Sequence, residues 1–197
     1  MKSMIMAALL GAMINPQVAQ AQFSESYNFL KAVRDRDGNK ATEIISKPGS
    51  VIVDTREAGT GEGALHIVTK ARDSTWLAFL LARGAKPDLR DAQGATPLMI
   101  AAQLGFIEGA QALIGRGASV DLTNNAGETP LIRAVQVRDA AMVRLLLGAG
   151  ANPNKTDNVA GLSARDYATR DRRSAAILKI IEETRPAKPK GAVGPTR

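Results

Sequence analysis

One histidine, His66, and a file of carboxylates at Asp54, Asp88, Asp91, Asp121 and Asp157 are the side chains here that could do more than pack. An imidazole binds zinc with further nitrogen or sulfur ligands and acts as a general base when a carboxylate orients it. His66 has no second histidine and no cysteine to share a metal, and no aspartate visibly paired with it. A calcium loop gathers several oxygen ligands within about a dozen residues. The aspartates are spread along the chain instead, and turns in which they bond their own nearby backbone are the expectation. The absence of cysteine removes disulfides, thiol catalysis and thiolate metal sites together. No glycine-rich phosphate loop and no Ser-His-Asp set is present. These residues point away from an enzyme, and no catalytic residue, metal or cofactor is expected.

The elements that carry the aspartates recur. Gly94-Ala-Thr-Pro-Leu-Met-Ile-Ala-Ala102 and Gly127-Glu-Thr-Pro-Leu-Ile-Arg-Ala-Val135 are near copies whose prolines, Pro97 and Pro130, stand 33 residues apart. The glycine recurs at Gly61, Gly94, Gly127 and Gly161, followed by Leu80-Leu-Ala-Arg-Gly-Ala85, Leu113-Ile-Gly-Arg-Gly-Ala118 and Leu146-Leu-Gly-Ala-Gly-Ala151. A fixed period means one supersecondary unit stacked on itself. Thr96 and Thr129 can accept a hydrogen bond from the first helical turn, and the following proline suits the first helical position, where its missing N–H has no partner anyway. Leu98, Ala101 and Ala102, like Leu131, Ala134 and Val135, lie at helical spacing. A second helix carries Leu113 and Ile114, or Val143, Leu146 and Leu147, and Gly117 and Gly150 close it in the left-handed conformation.

The phrase G-x-T-P-L, then Ala-Ala, then L-L-x-x-G-A resembles the ankyrin repeat, with Ala64-Leu65-His66 a worn copy of Thr-Pro-Leu-His. The resemblance covers roughly residues 24 to 183. It implies an all-α solenoid of about five stacked helix-turn-helix units with short turn or hairpin loops, at about 24–53, 54–88, 89–121, 122–154 and 155–183. It also implies that His66 hydrogen-bonds neighbouring turns, and that a protein partner sits on the concave face made by the turn tips and first helices. On this chain that face comprises Glu57, Lys70, Arg90, Gln93, Ala95, Gln103, Leu104, Asn125, Glu128, Gln136 and Val137.

The irregularities also carry expectations. Arg72 and Arg138 stand where Gly105 ends a first helix; a side chain in the left-handed conformation costs on the order of 1 kcal/mol, so these two turns are expected to be slightly strained or differently shaped, and the arginines themselves solvated. Trp76, at helical spacing with Phe79 and Leu80, is expected in the core rather than as an exposed anchor. The first unit lacks Thr-Pro. The last keeps Ser163 but has Arg165 at the leucine position and charges at Arg170, Asp171, Arg172 and Arg173, as a terminal repeat needs for solubility.

The formal charge is +7 and the isoelectric point near 10. Lys2, Arg185, Lys188, Lys190 and Arg197 lie outside the repeats, which leaves about +2 on the stack and gives no reason to expect a nucleic-acid partner. Residues 1–21 have the three parts of a cleavable secretory signal: Lys2, the apolar run Met4–Ile14 and the small-residue site Ala19-Gln-Ala21. Cleavage is expected after Ala21. That run is too short to span a bilayer as a helix, so no transmembrane segment is expected in the mature form. The short leader looks bacterial and points to the periplasm or to secretion. Residues 184–197, rich in proline and lysine, read as a disordered basic tail. The expected function is a monomeric, non-enzymatic interaction scaffold that binds another protein; the alternative is a cationic envelope-associated protein whose tail holds anionic lipid or polymer.

Overall fold

The computed structural model describes residues 16–47 and 50–184. Among the described residues ten α-helices run in pairs: α1 (Pro16–Asp35) with α2 (Gly38–Ile45), α3 (Ala64–Lys70) with α4 (Ser74–Ala82), α5 (Pro97–Leu104) with α6 (Ile107–Gly115), α7 (Pro130–Gln136) with α8 (Ala140–Gly148), and α9 (Ala164–Arg170) with α10 (Ala175–Glu183). First helices pack on first helices and second on second, giving a two-layer, all-α stack. Among the described residues there is no strand, only isolated bridges joining Arg56 to Gly63 and Thr156 to Ser163. The expected cleavage point after Ala21 falls within α1, while residues 1–15 of the expected leader and 185–197 of the expected tail lie outside the described residues.

The helix starts follow from the residues that precede them. Thr96 Oγ1 accepts from the Met99 amide at 3.3 Å and Thr129 Oγ1 from Ile132 at 3.2 Å, each just ahead of its proline. Ser163 accepts from the Asp166 amide at 3.2 Å while Asp166 Oδ2 accepts from the Ser163 amide at 2.9 Å, a reciprocal cap. The second helices are capped by Asp37, Asp73 and Asp139, whose carboxylates accept from Lys40, Trp76 and Met142. In the third unit Phe106 takes that position without a side-chain cap and fills the space over Gly109, where a Cβ would lie 2.2 Å from the ring.

The core is one continuous cluster from Phe29 to Ile181. Ala101, Ala102, Ala134 and Ala164 are fully enclosed, which lets the first helices approach closely, while Leu77, Leu80, Leu113, Met142 and Leu146 fill the second layer. Arg165 is half-buried and donates to Asn154 Oδ1 at 3.1 Å, so the last unit does carry a polar outer face.

Three expectations need correction. Trp76 is half-buried rather than core, because α2 begins with Gly38 and leaves the space beside the indole open; the matching Met142 in α8 is fully buried. Only Asp91 and Asp157 make local turns, Asp91 Oδ1 accepting from Gln93 and Ala95. Asp54, Asp88 and Asp121 instead reach the next unit, accepting from the amides of Lys86, Ser119 and Asn152 at 2.8, 2.9 and 3.0 Å. The left-handed arginines are three, Arg36, Arg72 and Arg138, at φ 59°, 53° and 58°, and they are bonded forward rather than merely solvated. Arg36 Nε meets Asp73 and Arg138 Nε meets Asp171, both at 2.6 Å, and Arg72 donates to the Gly105 carbonyl at 3.2 Å.

The loop tips are joined by single backbone bonds, Ala92 N–H to Thr60 O, Asn125 N–H to Gln93 O and Asn158 N–H to Ala126 O, at 2.8–3.0 Å. Gly94, at φ +76°, lies directly under the next tip, and a Cβ there would stand 2.9 Å from the Asn125 nitrogen. Gly94→Ala is therefore expected to destabilise the protein by about 2 kcal/mol. Gly115→Ala, in a helix where a Cβ meets nothing within 4 Å, should stabilise it by roughly 0.5 kcal/mol. Urea unfolding of the two variants reads both signs.

Candidate protein-binding face

His66 sits under the inner face and anchors it. Its Nδ1 accepts from the Gly63 amide at 3.1 Å, so Nε2 carries the proton and donates to the Ala95 carbonyl, also at 3.1 Å. Both ring nitrogens are used, and the side chain is completely enclosed. Burial pushes its pKa below the usual 6.5, against the opposing pull of the Ala95 carbonyl, Asp91 and Glu62. The ring thus ties the start of α3 to the next loop, as the resemblance implied, and has no nitrogen left for a metal or a substrate.

The residues expected on the face divide by what their atoms already do. Arg90 donates to the Gly94 carbonyl and, at 2.6 Å, to the Thr123 carbonyl, so it clips two loops together. Ala95 is half-buried and offers its carbonyl to His66. Glu57 accepts from Arg34 at 2.7 Å and from Thr60 at 2.9 Å; Thr60 first and Arg34 next hold its carboxyl below the usual range. Lys70 is paired with Glu62. Glu128 is held by Arg133 at 2.7 Å, by Asn124 at 2.7 Å and by the Gln136 amide at 3.3 Å. Asn125 is exposed but spends its side-chain amide on the Ala92 carbonyl at 3.1 Å.

What stays open toward a partner is narrower. Gln93, Gln103 and Gln136 are exposed, and Leu104 and Val137 stand 40% and 45% exposed at the same position of successive units. Electrostatically the face is neutralised from within, each of its named carboxylates being matched by a cation. Arg34, Glu62 and Arg133 belong to this network and were not among the expected residues. Their partners lie 23, 8 and 5 residues away in sequence, spacings that carry no periodic signal. The forward-bonded arginines did have a signal, the Arg-Asp pair recurring at 36–37, 72–73, 138–139 and 170–171.

At the charged end of the stack, Asp171 is pushed down to about 2 by the Arg173 backbone N–H and by Arg138. Asp157 is buried, which raises its carboxyl, yet the Tyr167 hydroxyl at 2.7 Å and three backbone N–H groups bring it below the usual value.

These shifts fix signs. The folded state holds His66 neutral while the unfolded chain protonates it near 6.5, so stability is full above that pH and falls as the pH drops below it. His66→Ala should cost about 2 kcal/mol and abolish that slope in denaturation curves taken between neutral pH and mild acid. Asp171 acts lower. Its contribution is present above the usual carboxylate value of 3.8 and is lost as the pH falls toward about 2. Its carboxyl resonance in an NMR titration should move up in Arg138→Gln.

A family model described as ankyrin repeats in three copies matches residues 30–124 and, shifted by about one repeat, 65–157. That fold is a non-catalytic protein–protein interaction module, and among the described residues no group of three His, Cys, Asp or Glu side chains could hold a metal ion. Likewise no described helix is long and apolar enough to cross a membrane. Stacked helix pairs, Thr-Pro starts, the doubly bonded His66 and a match over more than half of its length together establish that the chain belongs to the ankyrin-repeat family.

Proposed function

We propose that this protein is a monomeric scaffold exported through a cleavable leader to the periplasm or beyond, holding a protein partner on its inner, concave face. The observation that carries this reading is the pair Leu104 and Val137. They are exposed apolar side chains at equivalent positions of adjacent units, bordered by the uncharged amides Gln103, Gln136 and Gln93. Apolar centres within a polar surround are what a folded partner's surface can cover, and a few such residues dominate binding energy. Because the neighbouring charges are already paired, binding there depends weakly on salt. The three-part sequence of residues 1–21 supports export, and the basic residues from Arg185 onward support the alternative of a tail that holds anionic lipid or polymer.

Crosslinked pull-down from the native envelope tests the reading. Leu104→Ala with Val137→Ala is expected to weaken capture at least about tenfold, and Gln103→Ala and Gln136→Ala to weaken it less. Deleting residues 184–197 or raising the salt should leave capture intact; loss under either treatment, with the paired alanine variant unaffected, would support the tail instead. N-terminal sequencing of the exported protein is expected to begin at Gln22.

A further inference from the structure

Helix α4 is the unusual member of the outer layer. Its nine residues, Ser74 to Ala82, include no charge, and while Leu77, Leu80 and Leu81 point into the core, Thr75, Ala78 and Ala82 are exposed and Trp76 and Phe79 only half-covered. A helix that is apolar all round is ordinarily enclosed. A cleft of about 210 Å³ lies between α2 and α4, lined by Arg36, Gly38, Thr75, Trp76 and Phe79. It is open because Gly38 contributes no side chain, and a Cβ placed there would meet nothing within 4 Å. Small-molecule pockets run to roughly 300–1,000 Å³. The cleft is smaller, the size for one large side chain of a larger partner.

The walls define what that side chain is attached to. Trp76 and Phe79 meet edge to face with centroids 5.3 Å apart, and Arg36 lies 5.8 Å from the indole centroid with its Nε committed to Asp73. Arg83 lies 5.0 Å from the Phe79 ring and makes no ion pair among the described residues. On the other flank of α4, Arg116 donates to the Leu81 carbonyl at 3.3 Å and is likewise without an ion pair among them. Asp73, the carboxylate at the start of α4, is occupied by Arg36 and the Trp76 amide. The apolar cleft thus has Arg36, paired with Asp73, in its wall and Arg83 beside its Phe79, with no free carboxylate on α4 to answer Arg83; Arg116 lies over a separate hollow lined by Ala78, Leu81, Ala112 and Gly115.

We propose that the α2–α4 cleft is a second docking site, in the layer opposite the inner face, for an acidic segment of a protein partner that places one bulky apolar side chain against Trp76 and Phe79 and a neighbouring carboxylate on Arg83. The aromatic pair supplies the contact area, and the unpaired Arg83 beside Phe79 sets the sign of the partner's charge. The site is independent of Leu104 and Val137, so the chain can hold two partners, or two parts of one, on opposite layers.

Trp76 is the only tryptophan in the chain, so its emission reports occupancy directly. The full chain is titrated with two capped peptides, Glu-Asp-Phe-Asp-Glu and Lys-Lys-Phe-Lys-Lys. Expected is a saturable blue shift with the acidic peptide alone, weakened roughly tenfold in Arg83→Glu. Binding should be lost in Gly38→Phe, which plugs the cleft at an unobstructed first helical position and so keeps the fold. Leu104→Ala leaves the titration unchanged, which separates this site from the inner face. Equal response to both peptides, no saturation at millimolar peptide, or undiminished binding by a folded Gly38→Phe would overturn the proposal. So would an emission shift that grows with protein concentration without peptide, since a second copy would then cover the cleft.

Discussion

No helix pair of this protein can bury its own apolar stripe, and contact between successive pairs is the constraint on which everything else rests. The close approach of α3, α5, α7 and α9 requires the alanines at 101, 102 and 134 to be fully enclosed, and it brings three kinds of cross-unit bond into range. Backbone bonds join the loop tips, Asp54, Asp88 and Asp121 hold the amides of the following unit, and Arg36 and Arg138 reach the aspartates that cap the next helix pair. Individually such exposed contacts contribute little. Distributed along the stack so that each junction has at least one kind, they fix register, because a slip of one residue would break the bonds at that junction together.

The same constraint explains where the repeat is allowed to vary. A left-handed residue ends the first helices α1, α3, α5 and α7, whereas α9 runs into Asp171 with extended backbone, and glycine is the unstrained choice at such a turn. Arginine is tolerated at three of these turns because its guanidinium finds an acceptor on the next unit, which offsets part of the backbone cost. In the third unit Gly105 and Phe106 replace the Arg-Asp pair. There the ring packs over Gly109, and apolar filling stands in for the missing cap.

Function is left to surfaces that the stacking does not use. On the inner face the charges are consumed in local pairs, so exposed apolar residues and uncharged amides are what remains to meet a partner. On the outer layer the opposite holds at α4, where aromatic groups are incompletely covered and arginines lack carboxylates. A face whose charges are paired and an aromatic cleft beside an unpaired Arg83 therefore differ in physical character within one small stack.

Sequence by itself determined the repeat, the helix starts at Thr96-Pro97, Thr129-Pro130 and Ser163, the left-handed closures at Gly117 and Gly150, and the structural role of His66, since each depends on residues within one repeat or on a phrase that recurs in the next. Tertiary structure alone decided which aspartates bond locally and which reach the next unit, because two carboxylates of identical type differ only in what lies across the junction. It also decided that Arg90 and Glu128 are spent on loop contacts while Gln103 and Leu104 are free, and that Trp76 is half-open. A periodic pattern records which way a side chain points. Whether a neighbouring helix is long and bulky enough to cover it is a property of the pair, and beside Trp76 that neighbour begins with Gly38.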